Sequence, residues 1–407
     1  MSAVAEPEWV EGGITAVPGI LAAGLHCGVK VSGKKDLALI YSTTPAVAAG
    51  VFTTNQIVGA PVKVSRDHIK GGVAQAIVAN SGNANVANGE QGIKDAQEMT
   101  QLVAQLLRIP QRHVLVASTG IIGQPLPMET IRAGIPKLVK ALSPQRGRDA
   151  AEAIMTTDTR PKEAALRVEI GGRAVTVAGI AKGAGMIYPH LATMFCFLAT
   201  DAALTRAALD QILRRAVERS FNRIVIDGDR STSDTVLILA NGLAENRPLA
   251  VGDRRLGPFQ QAIESLTQRL ALMLVQDGEG ATKLVEIRVR GARSRRDALT
   301  AARAIANSLL VKTALAGEDP NWGRIVAALG ASGAQVQEEK VAISYGDEAV
   351  AEGGQPRPGV RWDRVKKALS GKEILIQVEL GLGSGQAHVW TSDLTEEYIK
   401  INARYTT

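Results

Sequence analysis

The stretch Ile180 to Asp201, IAKGAGMIYPHLATMFCFLATD, has features that an ordinary buried segment lacks. Gly183 and Gly185 loosen the backbone after Lys182, and Pro189 interrupts it. Ala192-Thr193 then enters an apolar run from Met194 to Leu198. A hydroxyl directly after a small residue, on a loop entering a strand, suits an N-to-O acyl shift. The Thr193 oxygen attacks the Ala192 carbonyl, and hydrolysis of the ester splits the chain. Thr193 would then hold both a hydroxyl nucleophile and a free α-amine. Such an amine titrates at about 7.7–8.0, so it serves as a base near neutrality without a histidine. The plain alternative is a threonine that opens a buried strand.

Outward from this stretch, 407 residues are enough for two or three domains' worth of core. Apolar content of 45% with 21% charged residues is that of a soluble globular protein, and aromatics at 3% leave packing to Ala, Val, Leu and Ile. Cys27 and Cys196, the only cysteines, lie in apolar surroundings and read as reduced, buried thiols of a cytoplasmic protein. The histidines are scattered without metal-ligand spacing, so no metal is expected. Glu6, Glu8 and Glu11 replace the basic start of a signal peptide, and no run is long and apolar enough to span a membrane. The net charge of +7 concentrates in Arg288 to Arg296, RVRGARSRR. With stacking aromatics scarce and no binding motif, this reads as a solvated strand-turn edge and not as a nucleic-acid patch.

Along the chain, Val10 to Tyr41 and Val51 to Val64 read as extended segments with turns. A short strand in QAIVANSGNANVANG runs into an Asn/Gly loop near the site. A helix is expected from Ile93 to Arg108, stopped by Pro110, and a strand from His113 to Ser118 ending in Thr119-Gly120. Helices follow at Met128 to Leu142 and from Asp149. LRVEI and AVTVAGI form a hairpin around Gly171-Gly172 that delivers the chain to the central stretch. Further helices are expected at Leu204 to Arg219, Pro258 to Leu274 and Arg296 to Ala314. GEDPNWGRI reads as a loop, and VEIRVR, VAISY and EILIQVEL as strands. GLGSG (Gly381 to Gly385) is a hairpin turn, because HVWTSD and not a helix follows it. Sheet segments alternating with long helices place the fold in the α/β or α+β class. Asp227, Asp229 and Asp234 in DGDRSTSDT read as loop-ordering acids and not as a cation site.

KGAGMIYPHLATMF closely resembles the self-cleavage motif of the ornithine acetyltransferase family, the glutamate N-acetyltransferases of the cyclic arginine pathway. STGIIGQPLP, TTDT, DGEGATK, DPNWGRI and the C-terminal tail match that family as well, from NSGNANV to the last residues. His190, Leu191 and Phe195 depart from the family's pattern, but Lys182, Ala192 and Thr193 do not. The resemblance implies layered sheets and helices of the cleaved N-terminal-nucleophile type, like the aminopeptidase-like folds. It implies cleavage between Ala192 and Thr193 into residues 1–192 and 193–407, folded together and paired as an α2β2 heterotetramer.

The implied chemistry is acetyl transfer from N-acetylornithine to glutamate through an acetyl ester on Thr193. Thr119 and Gly120 are the implied oxyanion hole. Lys182 would take the substrate carboxylate and Glu279 the δ-ammonium of ornithine. Asn402 and Thr407 of the tail, and Thr156 or the neighbouring Thr157, would also contact substrate. No cofactor is implied. Acetyl-CoA enters only as a second donor, and no CoA-binding motif stands in the chain. Two rivals predict different behaviour: an aminopeptidase or amidase would pass the acyl group to water, and a basic binding protein would stay uncleaved.

Overall fold

The computed structural model describes residues 7–188 and 194–404. They form two compact units, residues 7–188, 194–222 and 229–274 in one and residues 223–228 and 275–404 in the other.

The first unit is built on the strands Glu8–Val10 (β1), Ile20–Leu25 (β2), Leu37–Phe52 (β3), Val73–Asn83 (β4), Val114–Ile121 (β5), Lys162–Ile170 (β6), Arg173–Lys182 (β7) and Phe195–Thr200 (β8). The chain next contributes Ile224–Val225 (β9) to the second unit and returns to the first with Thr235–Ala240 (β10). The first sheet runs β1-β6-β7-β8-β10-β3-β4-β5, with β2 also paired to β3. β7 and β8 pair antiparallel, Val177 with Thr200 through Lys182 with Phe195, and β8 pairs parallel with β10. The expected hairpin around Gly171-Gly172 is β6 with β7.

Both faces of this sheet are covered, which is why its strands are almost continuously apolar. Along β4, Ala74, Ile77 and Ala79 enter one core while Ala76 and Val78 enter another. The second of these cores is closed by Ala60–His68 (α1), Gly89–Leu107 (α2) and Met128–Lys140 (α3), through residues such as Val64, Met99, Val103 and Ile131. Gly147–Ala153 (α4) packs into the first core with Ala150, Ala151 and Ala153. Arg206–Arg219 (α5) and Leu256–Gln276 (α6) complete the helices as far as this unit reaches. α3 continues through Gly134 and Pro136. A side chain at Gly134 would meet Cys27 Cβ at 2.6 Å, so this glycine permits a close approach.

The second unit holds Leu284–Ala292 (β11), Ala342–Tyr345 (β12), Glu348–Glu352 (β13), Gln355–Pro356 (β14), Glu373–Glu379 (β15) and Gly385–Ser392 (β16), in the order β14-β13-β12-β15-β11-β16-β9. Its helices are Arg295–Asn307 (α7), Leu309–Ala316 (α8), Trp322–Gly330 (α9), Trp362–Ser370 (α10) and Glu396–Arg404 (α11).

The structure corrects several expectations. Val51 to Val64 leaves the sheet at Phe52. Pro61 then sits in the first turn of α1, where its missing N–H is not needed, and Val62 and Val64 face inward. The helix expected over Arg296 to Ala314 breaks at Ser308, whose extended backbone ends α7 and whose hydroxyl accepts the Val311 N–H at 3.3 Å to cap α8. The GEDPNWGRI loop turns into α9 at Trp322, with Asn321 as cap. GLGSG is not a hairpin turn, since β15 and β16 lie on opposite sides of β11. The basic RVRGA segment is therefore in β11, an inner strand and not an edge, and Arg288 pairs with Glu286 at 2.8 Å. Cys196 is buried as expected, while Cys27 is only half-buried. Among the described residues no helix is long and apolar enough to cross a membrane.

Candidate active site

Thr119 and Gly120 do not follow β5; they are part of it, and so is the head of the Asn/Gly loop part of β4. The pairing continues because the polar side chains are satisfied inside the sheet. Ser118 donates to Asn80 Oδ1 at 2.6 Å, Asn80 donates to the Asn83 carbonyl at 2.9 Å, and Asn83 donates to the carbonyls of Gln124 and Pro125. Thr119 is buried opposite Ser81, and Gly120 stands opposite Gly82. Gly120 has φ +132°, and a Cβ there would lie 2.3 Å from the Gly82 carbonyl carbon. Only glycine fits at this contact.

Lys182 ends β7 fully buried. Its Nζ lies 3.0 Å from the Thr156 hydroxyl and 5.8 Å from the centre of the Phe195 ring. Of the two adjacent threonines, Thr156 is thus the one joined to this amine.

Asp158 holds the pair in place. Its carboxylate accepts the Thr156 N–H at 3.0 Å and the Gly183 N–H at 2.7 Å, and it pairs with the fully buried Lys162. Burial opposes ionisation here, but Lys162, Lys182 and the Gly183 N–H outweigh it and hold the carboxyl at about 2. Lys30 reaches in from beyond β2 and donates to the carbonyls of Met155 at 2.6 Å and Lys35 at 2.8 Å. Burial lowers its amine to about 8, with Lys182 pushing the same way and Asp36 opposing. The Lys30 stem also lies against Gly82. Lys30 therefore lies between Gly82, which stands opposite Gly120, and the Met155 carbonyl next to Thr156.

Asp234, just before β10, is buried completely, and its Oδ1 accepts the Met194 N–H at 2.9 Å. Thr235 N–H donates to the Met194 carbonyl at 3.2 Å, so consecutive residues clamp Met194 from both sides. Ala192, Thr193 and Thr407 lie outside the described residues.

In the second unit, Glu279 and Asn402 meet: Asn402 Nδ2 donates to Glu279 Oε2 at 2.7 Å and to the Tyr398 carbonyl at 3.0 Å. The glycines beside Glu279 serve packing, since a Cβ at Gly280 would lie 2.6 Å from the Tyr398 nitrogen. Asp393 anchors the end of this loop by accepting the N–H groups of Thr282 and Lys283.

Comparison with known proteins decides the family. The ArgJ family profile matches residues 21–407. The chain is 50% identical over 98% of its length to the whole of the arginine biosynthesis bifunctional protein ArgJ of Symbiobacterium thermophilum, and 48% identical over 96% to the whole of the protein of that name from Geobacter sulfurreducens.

The chain belongs to the ArgJ family. ArgJ membership makes it an acyltransferase, the enzyme class that the sequence motifs imply. Among solved structures, the ornithine-bound ornithine acetyltransferase of Mycobacterium tuberculosis is 38% identical, covering 45% of this chain and 98% of its own, with a TM-score of 0.42.

Within this ArgJ chain, sequence reading missed Asp158, Lys162 and Lys30 as partners of the expected site residues. The first two had a legible signal, an acid and a lysine four apart beside Thr156. Lys30 had none, because its neighbours come from distant segments. Among the described residues no cluster of His, Cys, Asp and Glu could hold a metal ion.

Proposed function

We propose that the chain transfers acetyl from N2-acetylornithine to glutamate through an ester on Thr193, in ping-pong order. The observation that carries this reading is the buried Lys182–Thr156–Asp158 group at the end of β7, directly before the cleavage stretch of an ArgJ-family member. A buried ammonium beside a hydroxyl suits a substrate carboxylate, which would then enter already charge-matched. The Thr193 oxygen takes the acetyl carbon as the bond to the ornithine nitrogen breaks. The glutamate nitrogen later attacks the ester and restores the hydroxyl. Thr119 and Gly120 would stabilise the oxyanion of both steps.

Cleavage between Ala192 and Thr193 is part of the same reading. It is supported by strands on either side of the break, β7 and β8, being hydrogen-bonded to each other, so both fragments share one sheet. The relatives' name, bifunctional protein, supports a second activity, for which acetyl-CoA as a second donor is our proposal. The decisive experiment mixes the enzyme with N-acetylornithine alone. Release of one equivalent of ornithine, with an acetyl group recovered on the peptide that begins at Thr193, is the expected result. Continuous turnover without glutamate would identify an amidase, and intersecting two-substrate kinetics without an adduct would rule out the ester.

Two substitutions test the roles of single residues. Thr119→Ala is expected to lower kcat by roughly 10²–10³-fold with little change in KM. An unchanged kcat would leave Gly120 as the sole donor of the pair.

Glu279→Gln is expected to lower kcat/KM for N-acetylornithine by about 10–100-fold, the worth of one charge-assisted hydrogen bond. An N-acetyl amino acid of similar length with a neutral side chain should be used as well as before. Glutamine can still accept the Asn402 hydrogen bond, so the comparison isolates the charge. A retained preference would reduce Glu279 to a turn acid.

A further inference from the structure

Lys30 stands in the loop between β2 and β3, and that loop is braced so that the side chain points toward Thr156. The buried Asp36 carboxylate accepts the N–H groups of Cys27 at 2.7 Å, Gly28 at 3.2 Å and Lys30 at 2.9 Å. Lys35 pairs with Asp149 and Glu152 of α4. From this frame the Lys30 stem passes Gly82, where a Cβ would lie 3.0 Å from Lys30 Cγ, and Nζ reaches the Met155 carbonyl. The Met155–Thr156 peptide is thus held from both sides, its carbonyl by Lys30 and its N–H by Asp158 at 3.0 Å. Covalent geometry keeps the Met155 carbonyl oxygen and the Thr156 hydroxyl within about 5 Å, so Lys30 and Lys182 act on one short piece of backbone.

Lys30 Nζ meets two backbone carbonyls, and among the described residues it forms no ion pair with a carboxylate. Asp158 is paired with Lys162, and Asp36 is taken up by N–H groups and by His26 at 2.9 Å. Bracing two carbonyls needs only a neutral donor. A charge shielded from water with no acid in contact is unfavourable, and an incoming carboxylate offsets that cost. Resting on the reading that N-acetylornithine and glutamate are the substrates, we propose that Lys30 is a further positioning residue of the carboxylate subsite. It holds the peptide that leads into Thr156, and its charge adds to that of Lys182 in drawing the α-carboxylate that both substrates have.

That charge has a pH window. Burial lowers the Lys30 amine to about 8; Asp36 and Asp158 oppose this, and Lys182 and Lys34 reinforce it. With His26 behind Asp36, these are the titratable groups that face it from its own loop, from β7 and from the segment before β6. The ammonium, and its pull on a carboxylate, is therefore present below about pH 8 and fades above it.

The test compares N-acetylornithine with its carboxamide, which has nearly the same shape and no negative charge, both as acetyl donors and as competing ligands. The ratio between the two cancels any ionisation of the nucleophile. Lys30→Met keeps a stem against Gly82 and removes the charge. It is expected to lower kcat/KM for N-acetylornithine by roughly 10–100-fold, almost all of it in KM, and to leave the carboxamide within about threefold of wild type. Lys30→Arg keeps the charge and is expected to restore most of the preference. In the wild type, where no variant has to fold, the preference for the carboxylate should fall as pH rises through about 8, and in Lys30→Arg it should stay level. The role of Lys30 is overturned, with the substrates left standing, if Lys30→Met keeps the preference or loses both ligands alike. It is overturned equally by a wild-type preference that is flat from about pH 6 to 9, as for an ordinary lysine, or by a fall that persists in Lys30→Arg. A wild type that takes no acetyl from N-acetylornithine overturns the proposed function itself, and this inference with it.

Discussion

Thr193→Ala is expected to remain a single chain and to transfer no acetyl group. One oxygen has two tasks in the proposed chemistry, attacking the Ala192 carbonyl once in the life of the protein and carrying acetyl in every cycle. Removing it removes both, and loss of a covalent nucleophile lowers turnover by roughly 10⁶-fold. Thr193→Ser keeps an oxygen at the same position and is expected to cleave. Intact mass and an acetyl-transfer assay on the same preparation check this. Wild-type-like activity in an uncleaved Thr193→Ala chain would sink both the nucleophile and the cleavage.

Asp158→Ala has the largest effect expected on stability. The wild-type carboxylate satisfies two backbone N–H groups and the ammonium of Lys162, which has no exposed side-chain surface. Taking away one member of a buried pair leaves the other charge in a medium that solvates it badly, at a cost of about 3–5 kcal/mol. That is a large share of the roughly 5–15 kcal/mol that holds a domain folded. A thermal or urea melt of the variant should show it, and a loss below about 1 kcal/mol would mean the pair is not maintained in solution.

The pH dependence has a fixed sign. The folded carboxyl, at about 2, lies below the unfolded value of about 3.9. Its stabilisation is therefore complete above the unfolded value and fades as pH falls toward about 2. The variant should lack this component of acid unfolding. Substrate binding should weaken too, because the same carboxylate ties down the Thr156 and Gly183 backbone on either side of the Lys182 contact.

Periodicity and motif between them determined a good deal about this protein. The hairpin at Gly171-Gly172 and the helices α2, α3 and α5 follow from apolar spacing and turn residues, because each is stabilised by contacts within a short window. The family motifs marked Thr156, Lys182 and Glu279 because their chemistry is tied to short strings. What lay outside the sequence was everything decided by segments far apart in it. Nothing in KGAG says that Lys182 is buried against Thr156, and nothing in DGDRSTSDT separates Asp234, which clamps Met194, from Asp227, which accepts the Tyr398 hydroxyl in the other unit. The inner place of β11, with a basic sequence suited to an edge, depends on strands that arrive some ninety residues later. Local propensity is a short-range energy, whereas burial and charge pairing depend on what the rest of the chain brings alongside. The tertiary structure alone supplies that.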